Sequence, residues 1–254
     1  MSEDVCLVRR EGRVLVVTLN RPAQRNALNA ELRQRLRDAF DEFEADDDLR
    51  CAVLTGTGKT FCAGGDLKEM ASQSVQIPPE EWGLLLSSRG HVPKPVIAAV
   101  NGHALAGGFR LVQQSDLCLA ADTAVFGISE VKRGRGAPWA APLIDIVSKR
   151  VMMELLLTGE PMTAQRAYEV GFVNRVVPAD RLLDEALSMA QTVAANAPLS
   201  IEAGKKLVEI STEMGSTLAT EYANTLYEKV YRSDDAIEGP RAFAEKREPV
   251  WMGQ

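Results

Sequence analysis

Two runs of apolar residues, CAVLTGTG from Cys51 and KPVIAAVNG from Lys94, show no polar alternation and end at glycines. A short apolar run without alternation has no face to give to water, so each reads as a buried strand. Helical patterns stand around them. Asn29 is placed to cap a helix on which Leu32, Leu36, Phe40 and Phe43 recur at helical spacing, and LVQQSDLCLA runs from helix into strand. Near the start, VRREGRVLVVTLNRP alternates about the turn Glu11-Gly12 and stops at Pro22, giving further strands. KTFCAGGDLKEM reads as a loop entering a helix. Thr163 caps a helix through Tyr168 that ends at Gly171, and FVNRVVP is another strand. Alternation of this kind specifies an α/β core. Beyond Pro178 the pattern is helical only, with breaks near Pro198, Gly215, Ser233 and Pro249. The expected organisation is a core over residues 1–195 and a helical region over 196–254.

The 254 residues suffice for a full-sized core. Apolar content of 46% and charged content of 25% describe an ordinary soluble globular protein. A net charge of −6 with no basic run argues against a nucleic-acid partner. MSEDVCLVRR is polar and no long apolar run follows, so neither a secretory signal nor a membrane span is expected. Four scattered cysteines (Cys6, Cys51, Cys62, Cys118) read as reduced thiols of a cytoplasmic protein. With His91 and His103 the only histidines, a metal site or a Ser-His-Asp triad has little material, and no metal is expected.

The loops FCAGGDLKE and ALAGGFRL share a design: each follows a strand, uses small residues and opens a helix. Free N–H groups at a helix start favour negative charge. Two of them converging from separate loops would make an oxyanion hole, in which one donor is worth about 2.7–4 kcal/mol of transition-state stabilisation.

Taken together, NRPAQRNALN, FCAGGDLKE, KPVIAAVNGHALAGG, FGISEVKRG, LLTGEPMTAQRAYEVGFVNRVVP and FAEKREPVW resemble the crotonase, or enoyl-CoA hydratase/isomerase, superfamily. The resemblance spans nearly the whole chain in the same order. It implies a spiral of β-β-α turns with a helical C-terminal region that builds homotrimers or homohexamers and helps to close the site. It also implies an acyl-CoA thioester as the partner, with CoA part of the substrate and no separate cofactor, as in fatty acid metabolism. Carried over by position, the oxyanion donors are the backbone amides of Gly65 and Gly107. Gly65, Asp66, Leu67 and Lys68 match the stretch along the CoA arm, Ala63 approaches the adenine, and Lys246 matches a lysine near the CoA phosphates, often of a neighbouring subunit. Arg25 lies near the phosphates by position. The wall of the acyl pocket maps to the segment around Trp82 to Leu86.

Hydratases of this family hold a water between two glutamates. The second matches Glu130, but Arg110 stands at the position of the first. A guanidinium offers only donors and stays protonated, so it serves neither as a base nor as an acceptor for water. It also puts a cation in the first turn of a helix, where the dipole disfavours one. Three readings follow. Glu130 alone moves a proton between carbons, as in the family's isomerases. Alternatively, Arg110 binds a carboxylate on the acyl group, favouring a dicarboxylic acyl-CoA and decarboxylation. In the third, Arg110 pairs with Glu130 and lowers its pKa, leaving a weak enzyme or a binding protein. His103 reads as a hydrogen-bonded structural residue, Cys62 lacks a base to activate it, and Asp66 suits a helix cap. Lys132, Arg133 and Arg135 read as a solvated basic face, and Trp139 as a possible lining of the acyl pocket.

Overall fold

The computed structural model describes residues 4–83, 85–86 and 92–254. Strands β1 (Cys6–Glu11) and β2 (Val14–Leu19) form an antiparallel hairpin, turned at Gly12 with φ 61. Helix α1 (Ala30–Ala45) begins where Asn29 accepts a hydrogen bond from the Leu32 N–H at 3.0 Å. It buries Leu32, Leu36, Phe40 and Phe43. Burial of a side chain of that size contributes about 1.5–3 kcal/mol, so this face, more than the cap, holds α1 in place.

A repeat follows in which each unit lays down a long strand, a short strand and a helix. The first is β3 (Cys51–Gly56), β4 (Thr60–Cys62) and α2 (Leu67–Ser72). The second is β5 (Val96–Val100), β6 (His103–Leu105) and α3 (Gly107–Gln113). The third starts with β7 (Leu117–Ala121) and β8 (Val125–Gly127), and reaches α4 (Lys149–Thr158) through 3-10 turns at Glu130–Arg133 and Pro138–Asp145. Then come β9 (Met162–Thr163), α5 (Ala164–Glu169) and β10 (Arg175–Val177). The long strands build a six-stranded sheet in the order β1-β2-β3-β5-β7-β10, parallel from β2 onward. The short ones build a second sheet, β4-β6-β8-β9.

The two unalternated runs are the centre of the large sheet: Val53, Leu54, Ile97 and Ala98 are fully buried. Helix α6 (Leu182–Ala194) packs across β2, β3, β5 and β7. Helices α7 (Pro198–Glu213), α8 (Ser216–Tyr231) and α9 (Asp234–Glu245) follow, starting at Pro198, after Gly215 and after a Ser233 cap. The short strands correct the sequence reading. Thr60–Cys62 and His103–Leu105 read as loop because three residues are too few to display a period.

Candidate active site

The second sheet sets both glycine loops. Loop Ala63–Asp66 leaves the end of β4, and loop Ala106–Gly108 leaves the end of β6, the strand beside it. The first loop is fastened by the segment Arg21–Leu28. Fully buried Asn26 accepts from the Arg21 N–H (2.8 Å) and donates to the carbonyls of Thr57 (3.0 Å) and Thr60 (2.7 Å). From that platform the Arg25 carbonyl accepts from Ala63 N–H at 3.0 Å, and Leu28 exchanges bonds with the Gly64 carbonyl (2.8 Å) and the Asp66 N–H (3.1 Å). The Gly64 N–H points to the Cys62 sulfur at 3.4 Å. Every amide from Ala63 to Asp66 is thereby engaged except that of Gly65, which has no acceptor among the described residues.

In the second loop the Ala106 N–H donates to Gly127 at 2.9 Å, while Gly107 opens α3 and so has no helical acceptor for its own N–H. The loops touch: a Cβ placed on Gly64 would lie 3.1 Å from the Gly107 nitrogen. Gly64 takes φ +96, and Ala106 takes φ 52 with ψ −118, an unusual backbone for a residue with a side chain. The sulfur of Met70 stands 3.4 Å from where a Gly65 Cβ would be, which makes Met70 a neighbour of the free amide that no motif points to.

Glu130 starts the 3-10 turn after β8, half-buried, and its Oε2 is sealed from water without a hydrogen-bond partner among the described residues. Burial raises its pKa above the ordinary glutamate value, and its own backbone N–H and the Trp139 indole offset part of that rise. Trp139 itself leans on Phe109 of α3, with ring centroids 6.1 Å apart.

Arg110 does not pair with Glu130. Its Nη2 donates to the Gly83 carbonyl at 2.7 Å, and no carboxylate lies within ion-pair distance of it among the described residues. Burial alone draws its pKa below the usual arginine value. The pairing that would lower the Glu130 pKa is therefore corrected: a carbonyl on the neighbouring turn takes the guanidinium. The dipole conflict also disappears, because α3 has only seven residues and Arg110 lies as near its last turn as its first.

Asp66 is a cap and an ion-pair partner. One oxygen accepts from the Lys68 N–H (3.1 Å) and the Glu69 N–H (3.3 Å), and the other takes the Arg21 guanidinium at 3.1 Å. Burial would raise its pKa, but those N–H groups and Arg21 hold it below the ordinary aspartate value. Leu67 and Lys68 are exposed on α2, and Arg25 is exposed next to Ala63. Lys246 sits exposed in a left-handed conformation at the end of α9, with no side-chain hydrogen bond or ion pair to Ala63 or Lys68 among the described residues.

The remaining expectations divide. Cys62 is fully buried with its thiol pushed up to about 12, which fits its inert assignment. His103 is exposed on β6, without the side-chain hydrogen bond expected of it among the described residues. His91 and Leu84 lie outside the described residues. Of the expected acyl wall, Leu85 and Leu86 are buried in the core, and Trp82 is held under the Arg33 guanidinium at 3.8 Å. Arg135 is not part of a solvated face: it is half-buried and donates to the Val75 carbonyl at 2.9 Å. No group of three His, Cys, Asp or Glu residues that could hold a metal occurs among the described residues, and no helix among them is long and apolar enough to cross a membrane.

Comparison with known proteins bears directly on this geometry. The chain is 40% identical to the enoyl-CoA hydratase EchA19 of Mycobacterium tuberculosis, over 98% of this chain and 96% of that protein. It is 39% identical to the carnitinyl-CoA dehydratase of Escherichia coli K12 over the full length of both. The crystal structure of an enoyl-CoA hydratase from M. tuberculosis H37Rv superposes with a TM-score of 0.92 at 39% identity, covering 99% of this chain and all of that one. Residues 9–254 match the enoyl-CoA hydratase/isomerase family, and with the repeated strand-strand-helix units and the helical C-terminal region this chain belongs to that family, within the crotonase superfamily.

Proposed function

We propose that this protein catalyses proton transfer between carbons of an enoyl-CoA thioester, with Glu130 as the one acid–base group. The observation that carries the reading is the buried Glu130 oxygen without a partner among the described residues, in a chain whose other acid–base position is an arginine held by a carbonyl. The Gly65 and Gly107 amides receive the thioester oxygen. Glu130 removes a proton from C2 of a 3-enoyl thioester, and the electron pair moves through the dienolate onto that oxygen. The same carboxyl then returns the proton to C4, which leaves the 2-enoyl thioester. Nothing beyond substrate-borne CoA is needed for this cycle.

Ala63, the Gly65–Lys68 stretch and Lys246 of a neighbouring copy take the CoA arm. That placement requires a homotrimer or homohexamer assembled through the C-terminal helices. Exposed apolar side chains on them support it, among them Val208, Leu218, Tyr231, Ile237 and Phe243, the last 87% exposed. The reading includes a cytoplasmic enzyme.

The test follows 3-enoyl-CoA and 2-enoyl-CoA by mass spectrometry in ordinary and deuterated water. Interconversion of the two isomers, resolved by chromatography, with at most partial deuterium uptake and no added water, lost in Glu130→Gln by about 10²- to 10⁴-fold in rate, is the expected result. Gain of a whole water by 2-enoyl-CoA as the dominant reaction would replace the isomerase reading with hydration through Glu130 alone.

A further inference from the structure

Three carboxylates, two at α2 and one just before β9, are already paired, whereas Glu130 keeps one oxygen without a partner among the described residues. Asp66 holds Arg21 at 3.1 Å, Glu69 holds Arg33 at 2.8 Å, and Glu160 holds Lys132 at 2.6 Å. Half-buried Arg110 and Arg135 have no ion pair to a carboxylate among the described residues, as is also true of Arg37 and Arg50. Among the described residues Arg110 reaches the Gly83 carbonyl alone, through Nη2. Arg135 reaches the Val75 carbonyl through Nη1, while its Nη2 is sealed from water with no acceptor among the described residues. Both guanidiniums thus bind one connecting segment, 75–83, which follows the helix opened by Gly65 and Asp66. The backbone N–H of Arg135 also donates to the Glu130 carbonyl at 3.0 Å, tying it to the acid–base residue.

A buried donor without an acceptor is unfavourable, and arginine does not relieve the deficit by losing its proton. What two such cations lack is an anion with more than one acceptor atom, the partner a planar guanidinium fork matches best. We propose that the acyl group accepted by this site carries a second carboxylate, held by Arg110 and Arg135. This rests on the thioester site proposed above. It gives Arg135 a specificity role and gives Arg110 a function that its poor fit to acid–base chemistry leaves open.

The experiment measures binding of saturated, unreactive thioesters by calorimetry, so that it does not depend on which reaction is catalysed. CoA monothioesters of dicarboxylic acids with four to six acyl carbons are compared with monocarboxylic thioesters of the same lengths. At one length or more, the diacid binds about tenfold tighter or better. Arg135→Gln and Arg110→Gln each reduce that ratio toward one, and Arg135→Lys retains part of it. Equal affinity of the two series at every length overturns the proposal while leaving the thioester site standing, as does a preference unchanged in Arg135→Gln. Failure of both series to bind removes the thioester site and this inference together.

Discussion

The two glycine loops spell the same three letters, Ala63-Gly64-Gly65 and Ala106-Gly107-Gly108, and use them in different registers. In the first, the middle residue takes the positive φ and the last leaves its N–H free. In the second, the alanine takes the positive φ, the middle residue leaves its N–H free, and the last is pressed against the chain. A Cβ on Gly108 would lie 2.2 Å from the Cys62 carbonyl oxygen, while one on Gly65 would meet only the Met70 sulfur at 3.4 Å. Identical composition therefore conceals different constraints. One glycine is required by packing, one by backbone conformation, and Gly65 by neither. The loops also constrain each other, since a side chain on Gly64 would come 2.7 Å from the Ala106 Cβ.

The largest effect is expected at Gly108. Its alanine variant forces backbone against backbone at the junction of β4 and α3, and should lose about 3 kcal/mol or more of stability, read as a lowered Tm or insoluble protein. A folded Gly108→Ala enzyme with unchanged Tm would break the contrast. Next is Ala106→Val, in which a β-branched side chain must hold a positive φ at a cost of about 1–3 kcal/mol. Ala106→Gly, by comparison, should keep or raise Tm. Smaller still is Gly65→Ala, expected within about 0.5 kcal/mol of the parent, because the Met70 side chain can yield and the N–H is retained.

The last concerns Glu130 and pH. Its folded pKa is raised, so its burial costs stability once pH passes the ordinary glutamate value, and the full cost is present above the folded pKa. Glu130→Gln should therefore have a higher Tm than the parent at pH 7, with the gap closing as pH falls to the ordinary glutamate range. A gap that widens with acid would show that this carboxyl is stabilised as an anion.

Much of the fold was legible because its longer elements carry periodic patterns. The Asn29 cap and the stripe from Leu32 to Phe43 gave α1, and unalternated apolar runs gave β3 and β5. The second sheet was not, since strands such as Thr60–Cys62 are too short for a period, and that sheet is what sets the two loops side by side. Gly65, Gly107 and Glu130 were singled out through the resemblance of their motifs, with Gly-rich loops at helix starts as the physical hint. Asn26, Met70 and Arg135 were not. Asn26 had a usable signal, an asparagine in a turn-rich segment that tolerates φ 54, whereas the partners of Arg135 depend on where the segment after α2 runs.

The central claim is that two peptide N–H groups meet over one thioester oxygen with a single carboxyl beside it. A crystal structure of the assembled protein with a saturated, unreactive acyl-CoA tests it most directly. The account predicts the thioester oxygen about 2.7–3.1 Å from the nitrogens of both Gly65 and Gly107, with the Glu130 carboxyl facing C2. Amides aimed at different points, or a Glu130 carboxyl turned into solvent, would contradict it.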